Sequence, residues 1–480
     1  MKAQRSHRPQ RPQRPQRLLM VTSLYPYGTG EAFVATELKH LSRYFGDIEL
    51  VPIFYEPGTP ARPVDQRVNL AYADARWGVL RLLHVALALL AALAGYRWIA
   101  DLGVILKRPR RLDSLKELVR ALYRARMFER FLARQAHAGQ GADLIYFYWL
   151  LPEIQGALAY RKASESPLRI VCRAHGGDLY EYLKPGGYAG LRRSIVAGID
   201  AIYTISDDGR RYLNRCFPAL ADKFHTSRLG VGNPGFLNAQ PADGPLSLVS
   251  CSFAVPGKRL HLIVDAIAWL LAADPTLDVR WTHVGDGPLL AAVRARAASR
   301  FGTRGRAVFK GYLTQSGLMD VYRNERFDAI VNVSDTEGVP VSLMEASAAG
   351  IPMIATDVGG TAEIVNAANG VLIPADADIA TIAAAMLRFR GRGVMRACRE
   401  SARLHWEAHF NAAANYERFG RALSGEAGAE ASAAVREGDG AGESAGEAAR
   451  EDPGGAAGQG HGGRRAGRPA AAAGDYPATG

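Results

Sequence analysis

Two carboxylates with seven residues between them stand out in the segment Glu337-Gly338-Val339-Pro340-Val341-Ser342-Leu343-Met344-Glu345-Ala346. An apolar run over 327–334 reads as a strand, a short glycine-containing loop follows, and a helix is predicted from near Pro340, because proline suits a first helical turn. The free N–H groups and positive dipole end of that helix would receive a phosphate. Glu345, just over a turn into the helix, can accept two hydrogen bonds from a ribose diol. Glu337, on the loop, is expected nearer a reacting sugar. Gly350-Ile351-Pro352 and Gly359-Gly360 follow and strengthen the strand–loop–helix reading.

Other residues offer complementary chemistry. Lys258 follows an apolar strand at 247–252 and can supply a point charge to a leaving diphosphate. His175 ends a strand at 169–175 and can hydrogen-bond a hexose. Asp178, three residues on, either orients an acceptor or caps the next segment. Gly28-Thr29-Gly30-Glu31 follows the first strand, where glycines permit close approach of an anion. Phe33 takes the place of the third glycine of G-x-G-x-x-G, so the dinucleotide fingerprint is not met. Asp376-Ala377-Asp378 is a literal D-x-D, but it sits where a helix begins and reads as capping. No metal site is expected. Cys172, Cys216, Cys251 and Cys398 form no C-x-x-C pair, Cys172 and Cys251 read as core thiols, and a reducing cytoplasm fits.

These residues need a frame. Strands are predicted at 18–25, 48–55, 143–149, 169–175, 201–206 and 224–231, then, after a Pro/Gly/Asn-rich gap at 232–245, at 247–252, 279–285, 307–313, 327–334, 352–356 and 371–373. Helices fall between most of them, including 31–45, 78–99, 112–138 and 260–273. Alternation of this kind means parallel sheets covered on both faces. The fold class is therefore α/β, with two doubly wound, Rossmann-like domains and a ligand cleft at the carboxyl ends of their strands. The boundaries are 18–235 and 245–405, with a last helix at 406–424. Residues 1–17 repeat Arg-Pro-Gln and 425–480 are rich in Ala and Gly, so both ends are expected to be disordered.

The motifs resemble those of retaining glycosyltransferases of the GT4 type, which have the GT-B fold. The resemblance rests on Glu337, Glu345, Ala346, Ala348, Gly350, Pro352, Gly359, Gly360 and Glu363. It extends over about 18–424, and the segment Arg173–Tyr180 is similar to the H-G-x-D segment of bacterial exopolysaccharide and colanic-acid-type enzymes. It implies an 18–235 acceptor-side domain, a 245–405 domain that binds a nucleotide-diphosphate sugar, and a return of the last helix to the first domain. It implies His175 and Glu337 as catalytic, and Lys258, Glu345, Gly338, Val339, Leu343, Met344, Gly28 and Gly30 as donor-binding. Asp178 is the candidate acceptor contact. Val284-Gly285-Asp286-Gly287-Pro288 lies either near the nucleotide base or in a plain turn. Many family members carry an arginine five residues before the phosphate lysine, where this chain has Phe253. The implied reaction moves a hexose to a saccharide or lipid-linked saccharide, with no cofactor beyond the donor itself. The alternatives are a nucleotide-sugar epimerase of the same fold and an inactive nucleotide-sugar-binding protein.

The net charge of +12 bears on partners. Six positive charges belong to residues 1–17, and ten Lys/Arg against three acids fall in 107–134. That stretch follows a 15-residue charge-free run at 82–96, below the length of a spanning helix. The pair reads either as a patch on an anionic membrane surface, at the inner face, or as a core helix beside a solvated one. No nucleic-acid module is recognised, so nucleic acid is not expected as a partner.

Overall fold

The computed structural model describes residues 17–28, 30–75, 96, 98–108, 110–239, 244–390 and 392–425. The Arg-Pro-Gln repeat, most of the 82–96 run and the Ala/Gly-rich tail lie outside the described residues. All elements below belong to one unit ending at Ser424.

Thirteen strands form two sheets among the described residues. The first holds β1 (Arg17–Thr22), β2 (Asp47–Pro52), β3 (Arg67–Val68), β4 (Leu144–Phe147), β5 (Arg169–Ala174), β6 (Ala201–Thr204) and β7 (Phe224–Thr226), in the order β3-β2-β1-β4-β5-β6-β7. The second holds β8 (Leu246–Cys251), β9 (Val279–Val284), β10 (Gly305–Phe309), β11 (Ala329–Asn332), β12 (Met353–Thr356) and β13 (Gly370–Ile373), in the order β10-β9-β8-β11-β12-β13. Every pairing is parallel. The expected doubly wound α/β architecture is therefore observed. Strand order reverses between β1 and β4 and again between β8 and β11, and the crevice outside such a reversal is where ligands enter these sheets.

Apolar clusters cover both faces of each sheet. The central strands are almost wholly buried, which is why they read as continuous apolar runs rather than alternating ones. Strand β3 departs from expectation. It is an edge strand of two residues with no apolar run, held in register with Glu49 and Leu50 and tied by Arg67 to Asp47 at 2.9 Å. The predicted 224–231 strand stops at Thr226, and the chain then turns toward the domain crossing.

That crossing is well defined. The helix Arg392–His409 ends at Phe410, whose carbonyl accepts from Val231 N at 3.0 Å, while Ala412 N donates to the Val231 carbonyl at 3.1 Å. The helix Ala412–Ser424 then packs on the first sheet. Phe419 stands edge-on to Tyr146 and Tyr203 and lies beneath the Arg173 guanidinium at 4.2 Å. Arg173 is itself paired with Glu37 at 3.3 Å, both side chains being fully buried.

Candidate active site

The residues expected on the donor side converge at the β8/β11 reversal. Lys258 closes the short helix Pro256–Lys258, and its ammonium lies 2.5 Å from Glu337 Oε1. Asn332, the last residue of β11, donates to the same oxygen at 3.2 Å. Lys258 shares a narrow cavity with Ser252, Asn332 and Ser342. Asn332, Ser252 and Ser342 were not singled out from sequence, although polar residues just past the carboxyl ends of central strands are a readable signal. The neighbouring Arg259 is not free for a phosphate, because its guanidinium donates to the carbonyls of Val333, Ser334 and Ala375. Phe253 is 59% exposed and adds no charge.

Pro340 proves to be the residue before the helix Val341–Ala348, with ψ 117°, and no side chain caps that helix start. Glu345 lies on its buried side, with Gln315 Nε2 at 3.4 Å from Oε1. Burial, opposed only by that hydrogen bond, pushes its carboxyl up to about 7. Leu343 and Met344, named with the motif, are wholly buried in the apolar cluster, so it is their backbone that lies at the helix start. Their N–H groups both reach the Pro340 carbonyl, at 3.1 and 3.3 Å. Val339 is likewise core-packed.

Glycines set the spacing between the domains. A Cβ on Gly176 would lie 2.8 Å from the N and Cα of Gly338, so the two backbones touch across the cleft only because neither residue has a side chain. His175 therefore sits one residue from this contact, and Glu337 one residue from its other side. Glu363 adds a second tie: its carboxylate accepts from Asp208 N at 2.8 Å and pairs with Arg228 at 2.9 Å. Gly285 and Gly287, at φ near +140°, admit the Ser252–Ala254 backbone so closely that any Cβ would clash with it. That turn braces the loop carrying Lys258.

On the facing side, His175 is 6% exposed; its side chain faces the Asp178 N–H in a capping box, and neither ring nitrogen makes a hydrogen bond of good geometry. Burial, and next the Arg173 guanidinium, hold it well below the usual histidine range, so the ring is neutral. Of the two readings of Asp178, the structure shows the cap. Its two oxygens accept from His175 N and Leu150 N, both at 2.6 Å, which pins the β5 turn to the β4 turn. Gly28, at φ +65°, donates to the Pro60 carbonyl, and Gly30 is exposed with open space around it. Glu31 instead occupies the β1 turn, accepting from the N–H groups of Ser23, Leu24 and Tyr25 and from the Trp149 indole. An anion would find those donors taken. In the D-x-D segment, Asp378 caps the helix Ile379–Leu387 through Thr381 N at 2.8 Å.

Two doubly wound parallel sheets facing one cleft, with the last helix returning to the first, define the GT-B class. Comparison with known proteins agrees. Residues 245–390 match the family described as Glycosyl transferases group 1, and this part of the chain is a group 1 glycosyltransferase domain. A colanic acid biosynthesis glycosyltransferase of Salmonella typhimurium is 28% identical over 230 residues, which is 46% of this chain and 55% of the relative. The match thus spans about half the length of that relative. Among solved structures, a lipopolysaccharide outer core galactosyltransferase in its apo form superposes with a TM-score of 0.60 at 14% identity, covering 85% of this chain and 99% of its own. Anabaena Alr3699/HepE, solved in complex with UDP, superposes with a TM-score of 0.57 at 14% identity, covering 85% of this chain and 100% of its own.

Proposed function

We propose that the chain is a retaining glycosyltransferase that moves a hexose from a nucleotide-diphosphate sugar to a saccharide or lipid-linked saccharide during assembly of a cell-surface polysaccharide. The observation that carries this is the donor cluster at the second sheet's reversal, with Lys258, Glu337, Glu345 and an uncapped helix start lying beside the His175 turn. The nucleotide occupies the second domain. Glu345 accepts the ribose diol. Lys258 and the start of the helix Val341–Ala348 take the diphosphate's growing charge as the anomeric bond breaks, which is the main catalytic task. Glu337 holds Lys258 in the resting state, and a bound diphosphate competes for the ammonium, freeing Glu337 toward the sugar. The neutral His175 can donate from one ring nitrogen and accept at the other, which suits a sugar hydroxyl.

The same reading places the protein at an anionic membrane face. The helix Arg111–His137 buries Leu118, Ala121, Leu122 and Ala125 against the core, yet also turns Leu112 (75% exposed), Leu115 (42%) and Val119 (40%) to solvent. Positions three and four apart share one face of a helix, so these form a second apolar stripe. Exposed Lys107, Arg111, Lys116 and Arg120 accompany it. Apolar side chains amid cations are what an anionic bilayer surface attracts. No helix among the described residues is long and apolar enough to cross a membrane.

Calorimetry with UDP, GDP and ADP tests the donor site. One of them should bind, and Lys258→Ala should weaken it about ten- to a hundredfold, the worth of a charge-assisted hydrogen bond. The reading is overturned if none binds, or if Lys258→Ala and Glu345→Ala both leave binding and sugar transfer at the wild-type level.

A further inference from the structure

Between β1 and the helix that follows it, the chain carries a carboxylate and an aromatic ring as well as the glycines Gly28 and Gly30. The N–H groups of Ser23, Leu24 and Tyr25, directly after β1, are held by Glu31, itself an anion fixed in the turn. Phe33, standing where a phosphate-binding loop has its third glycine, places a ring in the same turn. It stacks on Tyr148 at 5.8 Å and meets Trp149 and His175 at 6.4 Å. Trp149 lies 4.3 Å from the His175 ring, and Tyr148 lies 4.9 Å from it. Tyr148 is fully buried, whereas Phe33 and Trp149 each keep part of their surface exposed. These rings come from the turns after β1, β4 and β5, the three strands around the reversal of the first sheet.

We infer that Phe33 and Trp149 form the aromatic wall of an acceptor subsite for a neutral pyranose ring, with His175 at its base beside the donor cluster. A pyranose presents a face of C–H bonds and a rim of hydroxyls. The C–H face suits an aromatic ring, which carries large apolar area with little loss of freedom. The rim suits His175, whose buried ring nitrogens make no hydrogen bond of good geometry, an arrangement that normally marks a functional group. Trp149 is pre-oriented, because its indole N–H donates to Glu31, whose other three bonds anchor the turn. The Gly176–Gly338 contact sets this wall next to Glu337, where a transferred sugar would lie.

The subsite rests on the glycosyltransferase reading, and one set of samples separates the two. Full-length protein saturated with the nucleoside diphosphate that binds it is mixed with the methyl glycosides of glucose, galactose and mannose. Saturation-transfer NMR then reports contact with the sugar ring protons. At least one glycoside should give ring C–H signals. Trp149→Ala and Phe33→Ala should reduce them about fivefold, the scale of one lost ring contact, while Trp149→Phe retains most of them. The nucleotide Kd should stay within about twofold in every variant, which also reports intact folding. The subsite is overturned if nucleotide binds but no glycoside does, or if the signals survive Trp149→Ala. Absence of nucleotide binding in the wild type overturns the underlying reading instead.

Discussion

If the proposed donor site is right, Glu345 makes nucleotide binding depend on pH in a direction that burial dictates. Its carboxyl is raised from 4.5 to about 7, because the charged form is desolvated beneath the cleft. A raised value means the folded chain holds this proton more tightly than the unfolded chain does. The penalty for ionising Glu345 is therefore small near pH 5, grows as pH rises, and is complete above about 7. A shift of this size corresponds to about 3 kcal/mol. Glu345→Gln removes the penalty, so it should stabilise the protein by about 3 kcal/mol at pH 8 and by under about 1 kcal/mol at pH 5. Function runs the other way. A ribose diol needs the ionised acceptor, so the apparent nucleotide affinity should fall about tenfold between pH 8 and pH 6. The nucleotide's own terminal phosphate takes up a proton in a similar range, near pH 6, so the informative quantity is the difference between wild type and Glu345→Gln. Calorimetry at both pH values and denaturant unfolding of both proteins measure it. The reasoning fails if the two proteins show the same pH dependence of binding, or if Glu345→Gln gains no stability at pH 8.

Three further outcomes follow from contacts described above. Gly176→Ala should push the Gly338 backbone away and cut transfer about ten- to a hundredfold, as ångström-scale misplacement does, while nucleotide binding by calorimetry stays unchanged. Phe253→Arg returns a cation to the loop before Lys258 and should tighten nucleoside diphosphate binding about tenfold, the worth of one charge-assisted contact. Wild-type protein should sediment with phosphatidylglycerol vesicles and not with phosphatidylcholine, losing the association at high salt. Leu112→Asp with Leu115→Asp should abolish that association without changing nucleotide affinity, and sedimentation of the double variant at wild-type levels would remove the stripe from the reading.

The architecture was legible in the sequence because the central strands are buried on both faces. Residues such as Leu144–Phe147 and Ala201–Thr204 leave no room for polar alternation, and an unbroken apolar run is hard to mistake. The edge strand β3 was not legible, since two residues held by an exposed ion pair have no pattern to read. The same contrast governs the site. Lys258, Glu337 and Glu345 could be placed because each stands at a fixed offset from a strand end. Spacing along the chain, however, does not say which part of a residue faces the ligand. Leu343 and Met344 belong to the motif, yet their side chains belong to the core. Nor does spacing reveal which backbone donors are already taken. Glu31 takes the N–H groups of Ser23, Leu24 and Tyr25 just after β1, and Asp178 those of Leu150 and His175.

Those two carboxylates recast what the first domain does. Had their partners been free, the β1 and β5 turns would both be anion sites, and the cleft would present phosphate-binding donors on each wall. With Glu31 and Asp178 in place, the first wall offers aromatic surface and a neutral imidazole, while Lys258 and an uncapped helix start stand on the second. Under the proposed function, a charged donor and an uncharged acceptor would be drawn to opposite walls before either binds. The Gly176–Gly338 contact leaves little distance between the two walls, and on that proposal the division of charge across the cleft would favour transfer to a sugar hydroxyl over misplaced donor binding.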